Sequence, residues 1–303
     1  MRAACYLPGG VLLALLLLPG AQAQDFGDTP YVQTPQPVVD AMLKTANVTR
    51  DDYVIDLGSG DGRLVITAAQ KQGARGFGVD LDRRLVRLAN DNAKKAGVAD
   101  RAKFYARDLF DTDLSPASVI TLYLLPEVNL MARGRLLALA PGTRIVSHDY
   151  GIGDWPPDVE FEMDAPGKPV GRSQKSRVLY WVVPDNVAGR WRWQMEAGGQ
   201  SRVFELALKQ HYQKLEATAT MDDKTITVER AQLHGARLEV TLLLPDAGRI
   251  TLSGRRNHQL LAGEARKVAG QAQSVPWRAA RIELWDPLHV AAPPPLVRDF
   301  EVQ

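Results

Sequence analysis

The chain has 303 residues, 45% hydrophobic and 24% charged, and a formal net charge of +2 from 37 basic and 35 acidic side chains. This composition excludes a disordered chain and a polytopic membrane protein, and the length accommodates two domains. The near-balance of charge supplies no basic field of the kind nucleic-acid binders use, so no nucleic-acid partner is expected.

In chain order, Arg2 precedes an apolar run over 11–18, followed by Pro19-Gly20 and by Ala21-Gln22-Ala23, a small-x-small pattern ahead of the polar Gln24-Asp25. This layout predicts a secretory signal peptide over 1–23 and an exported, periplasmic protein. The competing expectation is an uncleaved membrane anchor, since the apolar stretch from Ala3 approaches the roughly 20 residues a spanning helix needs. That anchor would then be the one membrane contact. The single cysteine, Cys5, lies in this segment, so the cleaved chain would carry no thiol, disulfide or cysteine-based metal site.

From about Tyr53 onward, short β-branched runs alternate with longer amphipathic stretches. Strands are predicted at 53–57, 76–81, 103–107, 118–124 and 144–148, and helices at 62–72, 83–96 and 127–140, the last stopped by Pro141-Gly142. The helical pattern then ceases, and 159–164 and 177–183 read as a hairpin around the Pro/Gly-rich loop 165–171. The expected fold class over 24–184 is α/β: a Rossmann-like seven-stranded sheet of the methyltransferase kind, with helices on both faces. A dinucleotide-binding dehydrogenase would continue with another helical crossover. Over 185–290 the texture changes to short alternating segments, at 191–195, 202–210, 214–221, 224–232, 237–244, 249–254, 259–265 and 277–285, separated by turn signals such as Gly198-Gly199. This predicts a small all-β C-terminal domain, meander or barrel. Residues 291–303, with Pro293-Pro294-Pro295, read as a Pro-rich tail.

The chemistry concentrates after the first strand. Val54-Ile55-Asp56-Leu57-Gly58-Ser59-Gly60-Asp61-Gly62-Arg63 sets an apolar strand directly before a glycine-rich turn that opens a helix, and glycine lets the backbone approach a ligand closely. The second strand ends at Gly78-Val79-Asp80, where a carboxylate can accept from both hydroxyls of a ribose. Glycines stand at 58, 60 and 62, whereas the dinucleotide fingerprint needs one at 63, where Arg63 stands. Asp56 and Asp61 bracket the turn with negative charge, which disfavours a pyrophosphate and suits the ammonium and sulfonium of S-adenosylmethionine. A purely structural glycine turn is the alternative. Asp108 closes the third strand, either as an acceptor for the adenine amino group or as a helix N-cap.

Asp56 to Arg63, together with Tyr31-Val32-Gln33-Thr34-Pro35, Leu122-Tyr123-Leu124-Leu125-Pro126-Glu127-Val128-Asn129 and Val146-Ser147-His148-Asp149, resembles the protein lysine methyltransferase family that includes the mitochondrial enzymes acting on ATP synthase and on the adenine nucleotide translocase. The resemblance covers about 31–154 and leaves out the β domain. It implies a class I fold, S-adenosylmethionine as methyl donor, and a protein lysine as acceptor; taken with the leader or anchor over 1–23, the expected acceptor is a membrane-associated or periplasmic protein, which the β domain would help to dock. In such a fold the acceptor lies at the ends of the fourth and fifth strands, which makes Tyr123, Glu127 and His148, beside Asp149, the catalytic candidates. Cofactor-binding candidates are Asp56, Gly58, Gly60, Asp80 and Asp108, with Tyr31 and Thr34 as a lid over the methionine end. Each has a plainer reading: Tyr123 as a half-buried strand residue, Glu127 as a favourable first-turn acid, His148-Asp149 as a satisfied strand-end pair, and Tyr31 and Thr34 as loop packing.

In the β domain, Trp191, Trp193, Trp277 and Trp285 read as core filling, and the histidines lack metal-ligand spacing, so no metal is expected. Two functions compete at this point. One is a methyltransferase, with a small molecule as the variant acceptor. The other is an exported, non-catalytic binding protein with a degenerate Rossmann unit and a ligand-binding β barrel.

Overall fold

The computed structural model describes residues 31–169, 173–245, 247–267 and 274–287. The leader expected over 1–23 and the Pro-rich tail over 291–303 lie outside the described residues. Tyr31, the first described residue, has an exposed side chain.

The first half is the expected mixed sheet. In chain order it holds α1 (Gln36–Thr45), β1 (Tyr53–Leu57), α2 (Arg63–Thr67) running into a π turn (Ala68–Gln72), β2 (Arg75–Asp80) and α3 (Arg83–Lys95). After these come β3 (Ala102–Ala106), a 3₁₀ turn (Leu109–Asp111), β4 (Val119–Leu122), α4 (Pro126–Leu137), β5 (Arg144–His148), β6 (Val159–Asp164) and β7 (Lys175–Val182). Strand order is β3-β2-β1-β4-β5-β7-β6, with β7 antiparallel to β5. β1 is buried on both faces, as a central parallel strand must be: Val54 packs with α1 to α3, while Ile55 and Leu57 pack with α4. Gly76 is bare because a Cβ there would lie 1.9 Å from the carbonyl oxygen of Val54. Helix α1 was not expected from the sequence. Pro35 stands at its N-cap and Pro37 in its first turn, where proline fits a helix start, and Val38, Val39, Met42 and Leu43 form the buried stripe behind them.

The second half is a closed antiparallel barrel of β8 (Gly189–Ala197), β9 (Gln200–His211), β10 (Lys214–Met221), β11 (Lys224–His234), β12 (Arg237–Leu244), β13 (Gly248–Asn257), β14 (Leu260–Lys267) and β15 (Ser274–Leu284). Closure removes sheet edges, and alternation drives one face of each strand inward. The interior is filled by side chains, among them Trp191, Trp193, Phe204, Leu206, Leu242 and Trp277; Trp193 stacks on Phe204 at 5.2 Å. Trp285 is half-buried.

Between β5 and β6 the chain forms no helix, so α4 alone cannot cover that face of the sheet. Trp155 and Trp181 lie there fully buried, and the cover comes from the barrel: Tyr212, in the β9–β10 turn, stacks on Trp155 at 5.8 Å and 10°. The Tyr212 hydroxyl donates to Asp154 at 2.9 Å, the Trp155 indole donates to Gln213 at 3.1 Å, and Gln213 donates to the Pro156 carbonyl at 2.7 Å. Arg256 of the barrel pairs at 2.5 Å with buried Asp185, in the segment that joins the two halves.

Candidate active site

The turn after β1 is left-handed at three glycines, Gly58 (φ 76°), Gly60 (φ 53°) and Gly62 (φ 83°), a path that side-chain-bearing residues resist. Gly62 also cannot carry a Cβ, which would come within 2.6 Å of the Phe104 ring. The amides of Gly58 and Ser59 both donate to the Val79 carbonyl at 2.9 Å, tying the turn to the end of β2. Asp80 is fixed by two backbone donors, Gly60 at 2.9 Å and Asp82 at 2.9 Å, one on each carboxylate oxygen. Each oxygen keeps a lone pair with which to accept from a further hydroxyl.

Asp56 is 2% exposed and accepts a 2.5 Å hydrogen bond from Thr121 on β4. Burial, followed by the nearby charges of Asp80 and Asp61, pushes its carboxyl up to about 7, against the pull of the Thr121 hydroxyl. Asp108 caps the 3₁₀ turn, accepting from the Phe110 amide at 2.8 Å, so the N-cap reading describes what it does in this structure. The bracketing charge expected of Asp61 needs correction: Arg63 pairs with it at 2.6 Å and also donates to the Thr34 carbonyl at 2.6 Å. Arg63, noted in the sequence only for not being glycine, thus pins the 33–35 segment to the turn.

The ends of β1, β2 and β3 are neighbours in the sheet, so Asp56, Asp80 and Asp108 line one rim. Leu81, next to Asp80, is 73% exposed, an apolar surface at the same edge. Acceptor-only carboxylates around a bare turn, with its arginine already engaged, suit a nucleoside carrying hydroxyls, an amino group and positive charge; they do not suit a pyrophosphate. On this chemistry the residues fit S-adenosylmethionine.

The ends of β4 and β5 gather a second group. His148 is fully buried, one ring nitrogen 3.2 Å from the Thr34 hydroxyl and the other 2.8 Å from the Ser176 hydroxyl. Tyr123 lies on its ring, centroids 3.9 Å apart, and donates weakly to Asp149 at 3.4 Å. Burial lowers the His148 pKa, partly opposed by Asp149, so the ring is neutral at pH 7. Burial and then Asp149 raise the Tyr123 phenol, which stays protonated. Asp149 adopts the left-handed region (φ 61°) and pairs with Lys168 at 2.7 Å; burial works to raise its pKa, but Lys168 and the Arg177 amide outweigh it and hold the carboxyl low. Glu127 stands apart from this group. It is exposed in the first turn of α4, beside Pro126, Leu130, Gly151 and Gly153 on an open pocket of about 290 Å³.

The structure therefore brings together Thr34, Tyr123 and His148, and separately Asp56, Gly58, Gly60 and Asp80. No sequence pattern marked Lys168 and Ser176, which reach the rim only because the β6–β7 loop and β7 return beside β5. Thr121 lay unremarked in a strand; a hydroxyl one strand away from an inward acid could have raised it.

The family model of the ANTKMT methyltransferase domain matches residues 56–159. A protein-lysine N-methyltransferase of Saccharolobus islandicus is 45% identical over 130 residues, which is 42% of this chain and 81% of that protein. The adenine nucleotide translocase lysine N-methyltransferase of Mus musculus is 32% identical, and the match covers 48% of this chain and 63% of that enzyme. Among solved structures, an RNA methyltransferase from Salinibacter ruber in complex with S-adenosyl-L-homocysteine is 47% identical, over 52% of this chain and 96% of that one, with a TM-score of 0.47.

Proposed function

The chain belongs to the methyltransferase family of these lysine N-methyltransferases, and we propose that it moves the methyl group of S-adenosylmethionine onto the side-chain amine of a lysine in a protein acceptor. The observation that carries the reading is the Asp80 carboxylate, held by the Gly60 and Asp82 amides over a left-handed glycine turn, with Asp56 and Asp108 on either side. Bound there, the cofactor would supply an electrophilic methyl on a positively charged sulfur, the leaving group for transfer to a lysine nitrogen. The residues have little covalent work to do and act by placement and exclusion of water. Asp80 and Asp108 would accept from ribose and adenine, and the cofactor's positive charge would favour the ionised form of buried Asp56. Gly58 and Gly60 give the backbone its close approach. Thr34 is held on neutral His148, and Arg63 holds its carbonyl, so the 33–35 segment can roof the methionine end.

At the acceptor end Tyr123 forms a wall and His148 positions Tyr123 and Thr34; Glu127, apart on its open pocket, takes through water the proton the lysine must lose. On the reading of 1–23 as a leader, the protein is exported, and its acceptor belongs to the periplasm or the membrane surface. The rival reading, a binder with its ligand inside the barrel, is weakened by an interior already filled with tryptophan, phenylalanine and leucine side chains. The test is incubation of the full chain with methyl-labelled S-adenosylmethionine and an envelope protein extract, followed by mass spectrometry. Methyl groups on lysine side chains support the proposal. Label confined to small molecules, to RNA or to no acceptor overturns it. Fusing residues 1–30 to a reporter active only outside the cytosol tests export, and silence there overturns it.

A further inference from the structure

One lysine of this protein already sits at the acceptor end. Lys168 comes from the β6–β7 loop, its side chain only 11% exposed, and its ammonium lies 2.7 Å from Oδ2 of Asp149 and donates to the Lys175 carbonyl at 2.7 Å. The same Oδ2 is 3.4 Å from the Tyr123 hydroxyl and 3.5 Å from Nε2 of His148. Tyr123 and Tyr150 stand nearly parallel, centroids 6.3 Å apart and 19° between planes, as aromatic walls beside that carboxylate. An ammonium on a carboxylate that has aromatic side chains beside it is an arrangement a lysine side chain favours.

The carboxylate is built in place. Asp149 holds a left-handed backbone (φ 61°), uncommon for a residue with a side chain. Two β7 contacts fix it there: its amide donates to the Arg177 carbonyl at 2.8 Å, and its Oδ1 accepts from the Arg177 amide at 3.0 Å. With Oδ1 engaged, Oδ2 is the oxygen turned toward Tyr123, His148 and Lys168. The β6–β7 ladder pairs Val159–Asp164 with Lys175–Tyr180 through backbone bonds that do not involve the Lys168 side chain.

We propose that Asp149 is the receptor for the ammonium of the acceptor lysine, and that Lys168 is an internal stand-in which occupies it until an acceptor displaces it. The inference rests on the lysine-methyltransferase reading above and adds to it a specificity-determining residue and a competitor carried by the chain itself. It also selects among acceptors: a long, flexible primary amine can reach past Tyr123 to Oδ2, and a neutral or anionic group cannot replace Lys168 there.

The test uses the full chain and Nα-acetyl-lysine N-methylamide, a lysine side chain without terminal charges, as the binding probe, observed by NMR. Lys168→Met should bind the probe about tenfold more tightly than the wild type, and the double variant Lys168→Met with Asp149→Asn should lose that gain. Lys168→Arg keeps the pair and should stay near the wild type. Lys168→Gln serves as a second opening variant should the methionine disturb the loop, and S-adenosylmethionine affinity reports that each variant is folded. With a protein acceptor, Lys168→Met should lower the apparent KM by a similar factor. Unchanged probe affinity and unchanged KM in both Lys168→Met and Lys168→Gln would make the pair purely structural and overturn the inference while leaving lysine methylation standing. A gain in probe affinity that survives Asp149→Asn would overturn the role of Asp149. A wild-type protein that binds S-adenosylmethionine but methylates no lysine would overturn the functional reading, and the inference with it.

Discussion

The two halves of the molecule spend their side chains differently. At the rim of the sheet, polar groups stand on glycines and strand ends with capacity to accept more than they hold: Asp80 is anchored by two amides, and Asp56 is buried on one hydroxyl. The barrel is closed and packed to its axis, and its salt bridges, such as Arg192 to Glu205 and Arg249 to Glu229, lie on the outside. Chemistry therefore belongs to the sheet. What the barrel contributes is cover, because the Tyr212 turn occupies the face where a helix between β5 and β6 would otherwise lie. A segment that looks like an appended module is, at this contact, part of the core of its neighbour, since Tyr212 belongs to the same buried cluster as Ile120, Leu136 and Trp181.

The harshest way to break that comparison is to remove the barrel by ending the chain at Pro184. Trp155 and Trp181 would then face water, and the truncated protein should aggregate or lack a cooperative melting transition by calorimetry; a soluble, cooperatively folding product would show the halves to be independent. A point version is Tyr212→Ala. It removes a buried ring that stacks on Trp155 and a bond to Asp154, and should cost about 3–5 kcal/mol in urea unfolding. Its effect should appear in the sheet half as well, read by near-UV signals of Trp155 and Trp181.

Asp56 sharpens the other side of the comparison. Its folded pKa of about 7 lies above the ordinary 3.8, so the native state binds the extra proton between those values. The contribution of this group to stability therefore falls as pH rises through that window and levels off above about 7. The change amounts to on the order of 4 kcal/mol at most. Asp56→Asn should flatten this part of the pH profile of the melting temperature, and an unchanged slope would contradict the account. Gly62→Ala asks whether the turn is a fixed shape. At φ 83°, with the Phe104 ring in the way, it should lose about 1–3 kcal/mol, whereas Gly199→Ala, at φ 78° in the open β8–β9 turn, should lose only the backbone part, about 1 kcal/mol. The smallest stability effect is expected of Glu127→Gln, exposed on α4, which should leave the melting temperature within about 1 °C yet slow methyl transfer, with its pH profile shifted.

Much of this was legible in the residues. The bounds of β1, β5, β6, β10 and β12 match those expected, because β-branched runs end at turn residues with little ambiguity, and the eight C-terminal segments all became strands. Periodicity could not decide between meander and barrel, since closure depends on β8 pairing with β15, as in Gly189 with Leu284, far later in the chain. It also missed α1 behind its two prolines. At the site, glycine and aspartate positions announced themselves through spacing, while Arg63, Thr121, Ser176 and Lys168 did not. Thr121, Ser176 and Lys168 act through contacts made across strands or from a returning loop, and Arg63 through a bond to the Thr34 carbonyl far back in the chain, which no local pattern records.

The central claim is that the rim around Gly60 and Asp80 holds S-adenosylmethionine, and calorimetric titration of the full chain with that compound tests it most directly. Micromolar binding is expected in the wild type, weakened at least a hundredfold in Asp80→Ala, with the melting temperatures of the two proteins close. Absence of binding at millimolar concentration, or equal affinity in the folded Asp80→Ala variant, would contradict it.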